Sequence, residues 1–313
     1  MLSRMLRYCC IFCLKSSVMA ESSAATADEI VEDPDPATAA FRYRTLGAGL
    51  HLLQGSGGNV LVVEGEQGLL LIDADFAAAY PRAREALTAM GLGSRRVKLL
   101  IDTHFHHDHS DGNCAWAKEG AVILAHENAR SRLASGAHVR IGPYDIEMEP
   151  AVAAALPTET FASRLQLPFG AHSLRLVHQP AAHTDGDAVI FVGDVVHMGD
   201  IYVRYGFPFI DVPAGGTIDG MIRACREVLR QLPPNAQVVP GHGEPAGPDD
   251  LLTYLQMLEG ARDAVACVKR AGATLPEIQS AGVLAQWAES YANPWVTPEL
   301  FVEYIYATLP AVA

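Results

Sequence analysis

The segment Val97-Lys98-Leu99-Leu100-Ile101-Asp102-Thr103-His104-Phe105-His106-His107-Asp108-His109 runs from an apolar stretch straight into a group of metal-binding residue types spaced His-x-His-x-Asp-His. The apolar stretch is short, which reads as a buried strand. Past a strand the chain stays near extended, so residues two apart face the same way. His104 and His106 are then placed to grip one cation. Asp108 and His109, around the following turn, face a second cation beside it. By the same alternation His107 points away from its neighbours and is no ligand. Neutral imidazole and carboxylate are donors that zinc accepts at about 2.0–2.2 Å. A polar loop that is merely rich in histidine has no reason to keep this spacing directly after a buried strand.

Further donors follow in order: His183 in Ala182-His183-Thr184-Asp185-Gly186-Asp187, Asp200 at the end of His197-Met198-Gly199-Asp200, and His242 in Pro240-Gly241-His242-Gly243. With Gly57-Gly58-Asn59 and Pro208-Phe209-Ile210-Asp211, the chain from about Phe41 to Leu309 resembles the metallo-β-lactamase superfamily. The likeness is strongest to its bacterial metallohydrolase branch with an aspartate as bridging ligand. The resemblance implies an α/β fold, a four-layer αβ/βα sandwich of two facing mixed β-sheets with helices outside. It also implies two zinc ions per chain. His104, His106 and His183 would hold the first, Asp108, His109 and His242 the second, and Asp200 would reach both. A metal-bridging hydroxide would attack the carbonyl of a small-molecule ester, lactone or amide, β-lactams among them, with Asp108 as the catalytic group that orients the nucleophile and moves its proton. The alternatives within the family are a glyoxalase II-like thioesterase, a phosphodiesterase and a persulfide dioxygenase with a single iron. Antibiotic-hydrolysing members of the best-known subclass carry a cysteine where this chain has Asp200, which points away from dedicated carbapenem hydrolysis.

Asp194 and Asp200 both follow His183, and hairpin geometry chooses between them. The strand after His183 runs outward through Ala188–Val192 and reverses at Gly193-Asp194, a tight-turn pair. Its partner, from Val195, returns toward His183. At about 3.3 Å per residue the turn lies some 16–20 Å away, so Asp200 and not Asp194 arrives at the metals. His197 and Asp102 are near enough in sequence to orient ligating imidazoles. Asp73 and Asp75, at a strand end, read as turn residues or as such orienting groups. Tyr202, Arg204, Tyr205 and Phe207 follow Asp200 and are candidates for the pocket mouth, with Arg204 either a carboxylate anchor or a solvated surface charge.

The 313-residue chain is 50% apolar with a net charge of -13 and pI about 5.3. It can bury a large core, and it lacks the basic balance of a nucleic-acid surface. No stretch is long enough to span a membrane. Cys114, Cys225 and Cys267 are scattered through expected helices without zinc-type C-x-x-C spacing and read as small buried hydrophobes. Residues 1–20 read either as a secretory signal, which would place the protein in the periplasm, or as a mis-called start with translation from Met19 in the cytoplasm. Residues 21–40 are acidic and aperiodic, a disordered leader, and 41–313 form one metallo-β-lactamase-like domain. Within it, strands are expected at 50–53, 59–63, 68–72, 97–101, 122–124, 165–167, 174–177, 188–192, 195–197 and 238–239, with Phe161 opening the second half. Helices are expected at 76–91, 112–119, 126–134, 217–232, 248–272, 274–280, 283–290 and 298–307. His126 reads as a helix N-terminal residue, and His138 as part of a glycine-flanked loop.

Overall fold

A computed structural model describes residues 35–142 and 144–311. Residues 1–20, read as a signal or a mis-called start, and the first part of the expected leader lie outside these; Asp35 to Ala39 form a turn closed by Asp35. The chain lays down β1 (Arg42–Gly47), β2 (Leu50–Gln54), β3 (Val60–Gly65), β4 (Gly68–Ile72), β5 (Val97–Ile101), β6 (Val122–His126), a hairpin of β7 (Ala137–Ile141) and β8 (Tyr144–Met148), and β9 (Glu159–Phe161). Strands β1 to β6 and β9 form one sheet in that order, antiparallel as far as β4 and parallel from β4 to β9. The hairpin pairs only with itself. The second sheet has the order β10 (Arg164–Phe169), β11 (His172–His178), β12 (Ala188–Val192), β13 (Val195–His197) and β14 (Gln237–Val239), with only its last pair parallel.

The inner faces of the two sheets meet in one apolar layer, where Leu52, Leu61, Leu70 and Ile101 pack against Leu174, Leu176, Ile190 and Val195. Outside the first sheet lie α1 (Tyr80–Ala89) and, after the single turn α2 (His107–Ser110), α3 (Asn113–Lys118), whose Leu87 and Trp116 seal its outer face, while α4 (Glu127–Ser135) buries Ala129 and Leu133 in the other large cluster. Outside the second lie α5 (Ile218–Leu229), α6 (Pro248–Arg270), α7 (Leu275–Ser280), α8 (Ala285–Tyr291) and α9 (Pro298–Thr308). This is the four-layer sandwich with two mixed sheets. Helix α5 shows why such a layer forms: Ile218, Met221, Ile222, Cys225 and Val228 recur at helical spacing and are buried, and Thr217 caps the first turn through Gly220 N. None of the described helices is long and apolar enough to cross a membrane.

Three expectations are corrected. Arg42–Gly47 is a strand, an exposed edge whose polar residues hide it from a hydrophobicity reading. His138 lies in a strand, not a loop, and its ring meets Asp145 across the hairpin. Phe161 belongs to the first sheet, parallel to β6, and does not open the second half. Leu61 is fully buried between the sheets, so Leu61→Ala is expected to destabilise the protein by about 2–5 kcal/mol through transfer and cavity terms, read as a lower urea midpoint with an unchanged slope.

Candidate metal centre

Parallel strand ends build the site. Strand β4 pairs Ile72 with Ile101 of β5, so the residues just past both ends, Asp73 and Thr103 to His109, emerge together. In the second sheet His197 of β13 pairs with Val239 of β14. Three residues further along each chain stand Asp200 and His242, side by side. His183 enters from the β11–β12 connection. The site thus lies at the carboxyl ends of parallel strands, where α/β sheets place their ligands.

Close backbone approach requires the glycines. A Cβ on Gly58 would collide with the His109 ring, one on Gly57 with the Asp108 carbonyl, and one on Gly241 with the Asp200 carboxylate. Asn59 ties the two halves: its amide donates to the carbonyls of Pro240 and Gly243, both at 2.8 Å, which fixes the loop carrying His242.

The hydrogen bonds assign the tautomers. His183 Nδ1 lies 2.9 Å from the Phe209 carbonyl, which can only accept, so Nδ1 carries the proton. His106 Nε2 donates to Asp211 Oδ2 at 3.0 Å. The Thr103 hydroxyl donates to Asp73 and accepts from His104 Nδ1 at 3.0 Å. Three lone pairs then converge, His183 Nε2 and His104 Nε2 standing 2.9 and 3.1 Å from His106 Nδ1. Acceptors at that separation repel unless a cation lies among them.

The second group is different in charge. Asp108 Oδ2 stands 3.0 Å from His242 Nε2 and 3.5 Å from His109 Nε2. His109 Nδ1 donates to Asp73 at 2.8 Å. Asp200 spans both groups, 3.2 Å from His109, 3.5 Å from His242 and 3.9 Å from His183. Its buried Oδ1 has no hydrogen-bond partner. All seven predicted donors are therefore brought together, in sets of three that could each hold a metal ion. The donor chemistry and the orphaned carboxylate oxygen fit such ions.

Burial and the neighbouring imidazoles push His104 well below the usual imidazole range, and His183 to about 4. Burial acts the same way on His109 and His242. There the negative charges of Asp108 and Asp200 outweigh it, holding His109 well above its ordinary range and His242 at about 10. Burial thus disfavours charge on His104 and His183, whereas the carboxylates favour it on His109 and His242.

Of the orienting groups, Asp73 was open in the sequence between a turn and an orienting role, and Asp211 and the Phe209 carbonyl were missed. Asp211 and the Phe209 carbonyl hold His106 and His183, and Asp73 holds Thr103 and His109. Only the Pro208–Asp211 stretch and the strand-end position of Asp73 hinted at them. Neither His197 nor Asp102 does this: His197 binds the Asn59 carbonyl and the Gly199 amide, and Asp102 binds Asn113. His107 packs edge-on to Phe76 at the cavity wall, away from the donor sets. Of Tyr202, Arg204, Tyr205 and Phe207, Tyr205 alone lines the cavity. Tyr202 and Phe207 are buried in the core, and Arg204 donates to the carbonyls of Glu244 and Pro245.

The cavity over the site holds about 350 Å³. His106, Asp108, Asp200 and His242 form its floor, and the apolar side of the β7–β8 hairpin forms one wall.

The family profile described as the metallo-beta-lactamase superfamily matches residues 53–242. None of the curated proteins matches the chain. Among solved structures, a metallo-beta-lactamase from Pontibacter korlensis is similar at 17% identity and a TM-score of 0.57, over 70% of this chain and 99% of that one. A double mutant of the sec-alkyl sulfatase PisA1 is similar at 17% identity and a TM-score of 0.63, over 87% of this chain but only 51% of its own. DIM-1 metallo-beta-lactamase exposed to ceftazidime is similar at 15% identity and 0.56, over 71% and 98%. At these identities the likeness is one of fold.

Two outcomes are expected. Asp200→Ala should lose metal from the sets that Asp200 spans while Asp194→Ala, at the far turn where its carbonyl meets Gln237 N, keeps the full metal content; mass spectrometry of metal content decides, and the opposite ranking would refute the placement. Because Asp108 and Asp200 raise His109 and His242 above the ordinary imidazole range, a metal ion entering their set would displace protons, and its affinity should rise with pH. Calorimetry at pH 7 in buffers of different ionisation enthalpy should register net proton release, and none would contradict the charge assignment.

Proposed function

The chain belongs to the metallo-β-lactamase superfamily, and on that footing we propose that it is a dinuclear-zinc hydrolase of carbonyl substrates: esters, lactones or amides. The observation that carries this reading is the convergence of the three imidazole lone pairs of His104, His106 and His183 beside the Asp108, His109 and His242 cluster, with Asp200 between them. The first set would hold one ion and the second set the other. Two such ions would lower the pKa of a water and polarise the substrate oxygen.

The remaining work falls to the chain. Asp211, Asp73 and the Phe209 carbonyl keep the imidazoles in the ligating tautomer, which prevents the rings from turning away. Asp108, on the cavity floor, orients the attacking water and takes its proton. As the bond from the carbonyl carbon to the leaving oxygen or nitrogen breaks, Asp108 returns that proton to the leaving group. The products are a carboxylic acid and an alcohol or amine. The apolar cavity wall keeps bulk water from the reacting carbonyl.

Chelation should abolish turnover of p-nitrophenyl esters, lactones or nitrocefin, and zinc should restore it. Turnover that survives thorough chelation would sink the proposal. Parallel assays with S-lactoylglutathione and bis-p-nitrophenyl phosphate, and elemental analysis of the native protein, separate it from thioester, phosphodiester and single-iron chemistry.

A further inference from the structure

The β7–β8 hairpin stands apart from both sheets, and its two faces differ sharply. Val139 pairs across it with Ile146, and Ile141 with Tyr144; all four line the cavity. The alternate residues His138, Arg140, Asp145 and Glu147 face outward, where Asp145 pairs with His138 and Arg140. A lone two-stranded hairpin is marginal in water and needs its apolar side covered. Part of that cover comes from the core around Val139. The rest looks across the cavity toward Phe209 and Trp295. Trp295 is itself fixed: its amide donates to Asn293 Oδ1 at 3.0 Å, and its carbonyl abuts Gly142 at the hairpin tip.

The charges of the cavity point the same way. Among the described residues neither lysine nor arginine lines it, and their only ionisable groups there beyond the histidines and tyrosines are Asp108 and Asp200 on the floor. Arg204 is turned to the Glu244 and Pro245 carbonyls. A substrate with an anionic group at the hairpin end would bury that charge with no lysine or arginine of the described lining beside it, a costly arrangement.

We propose that the hairpin is the specificity element of this site and that it selects substrates whose carbonyl bears an uncharged, apolar acyl chain or ring, seated between Ile141, Tyr144 and Ile146 on one side and Phe209 and Trp295 on the other. This rests on the hydrolase reading above for the reaction, but not for the binding. The carbonyl lies over the floor, and the acyl group extends toward the hairpin.

The test uses the zinc-loaded full chain and p-nitrophenyl esters from acetate to decanoate. Each added methylene should raise kcat/KM about fourfold until the cavity is filled, which is the ~0.8 kcal/mol of a buried methylene. An ester of matched length ending in a carboxylate should be at least about 100-fold poorer. The double variant Ile141→Ser, Ile146→Ser should flatten the chain-length slope. A second readout needs no turnover: 2-alkanones of rising length should quench Trp295 fluorescence with rising affinity, a signal lost in Trp295→Phe. If no ester is cleaved yet alkanones still bind by length, the hydrolase reading fails and this inference stands. If esters are cleaved with a flat slope, or the carboxylate-ended ester is cleaved equally well, the inference is overturned. It is overturned too if the serine variant changes only the oligomeric state in ultracentrifugation, because the apolar face would then serve a second copy of the chain.

Discussion

The carboxylate of Asp73 is the constraint on which the candidate centre depends. Fully buried, it accepts the Thr103 amide at 2.7 Å, the Thr103 hydroxyl at 2.9 Å and His109 Nδ1 at 2.8 Å. Through Thr103 it sets His104, and directly it sets His109, so one residue aligns a donor in each set. The geometry has a backbone cost, since Asp73 has a φ of 66°, a left-handed conformation worth about 1–3 kcal/mol in a non-glycine residue. The sandwich core offsets that strain, because Asp73 follows directly from a β4 whose side chains are all buried.

The two sheets contribute different chemistry. The first supplies His104, His106, Asp108 and His109 from one continuous loop, whereas the second supplies His183, Asp200 and His242 from three separate connections. Packing between the sheets is thus also what fixes the distance between donors. Asn59 reinforces it by holding the Pro240 and Gly243 carbonyls from the opposite side of the molecule. The glycines at 57, 58 and 241 make room at the places where backbone must lie against a donor.

Much of this was legible in the sequence for physical reasons. The β5 strand and the donors behind it combine an apolar run with a spacing that strand geometry explains. The choice of Asp200 over Asp194 followed from the length of one hairpin, and Asp200 does stand among the imidazoles. Of the orienting carboxylates, Asp73 was legible only as one of two readings of a strand end and Asp211 was not legible, because they acquire their role through contacts across 36 and 105 residues of sequence. The β7–β8 hairpin was missed although Val139, Ile141 and Ile146 alternate with charges. Gly136 and Gly142, both at positive φ, punctuate it in the way loops are punctuated. Arg42-Tyr43-Arg44-Thr45 pairs as an edge strand without burying a face, so periodicity carried no signal. Phe161 joins the first sheet by a long-range pairing that no local pattern encodes.

The self-paired hairpin has a consequence for how such a protein can change over generations. Because β7 and β8 share no ladder with either sheet, residues on the hairpin's inner face can be exchanged, or its length altered, without slipping the register of any strand that carries a donor. Mutational drift can therefore alter what enters the cavity far more freely than it can alter the centre beneath. The loop behind β5 has no such latitude, since each of its residues from Asp102 to Ser110 except His107 and Asp108 is buried. One fold thus keeps a slowly varying reactive end beside a wall open to rapid divergence.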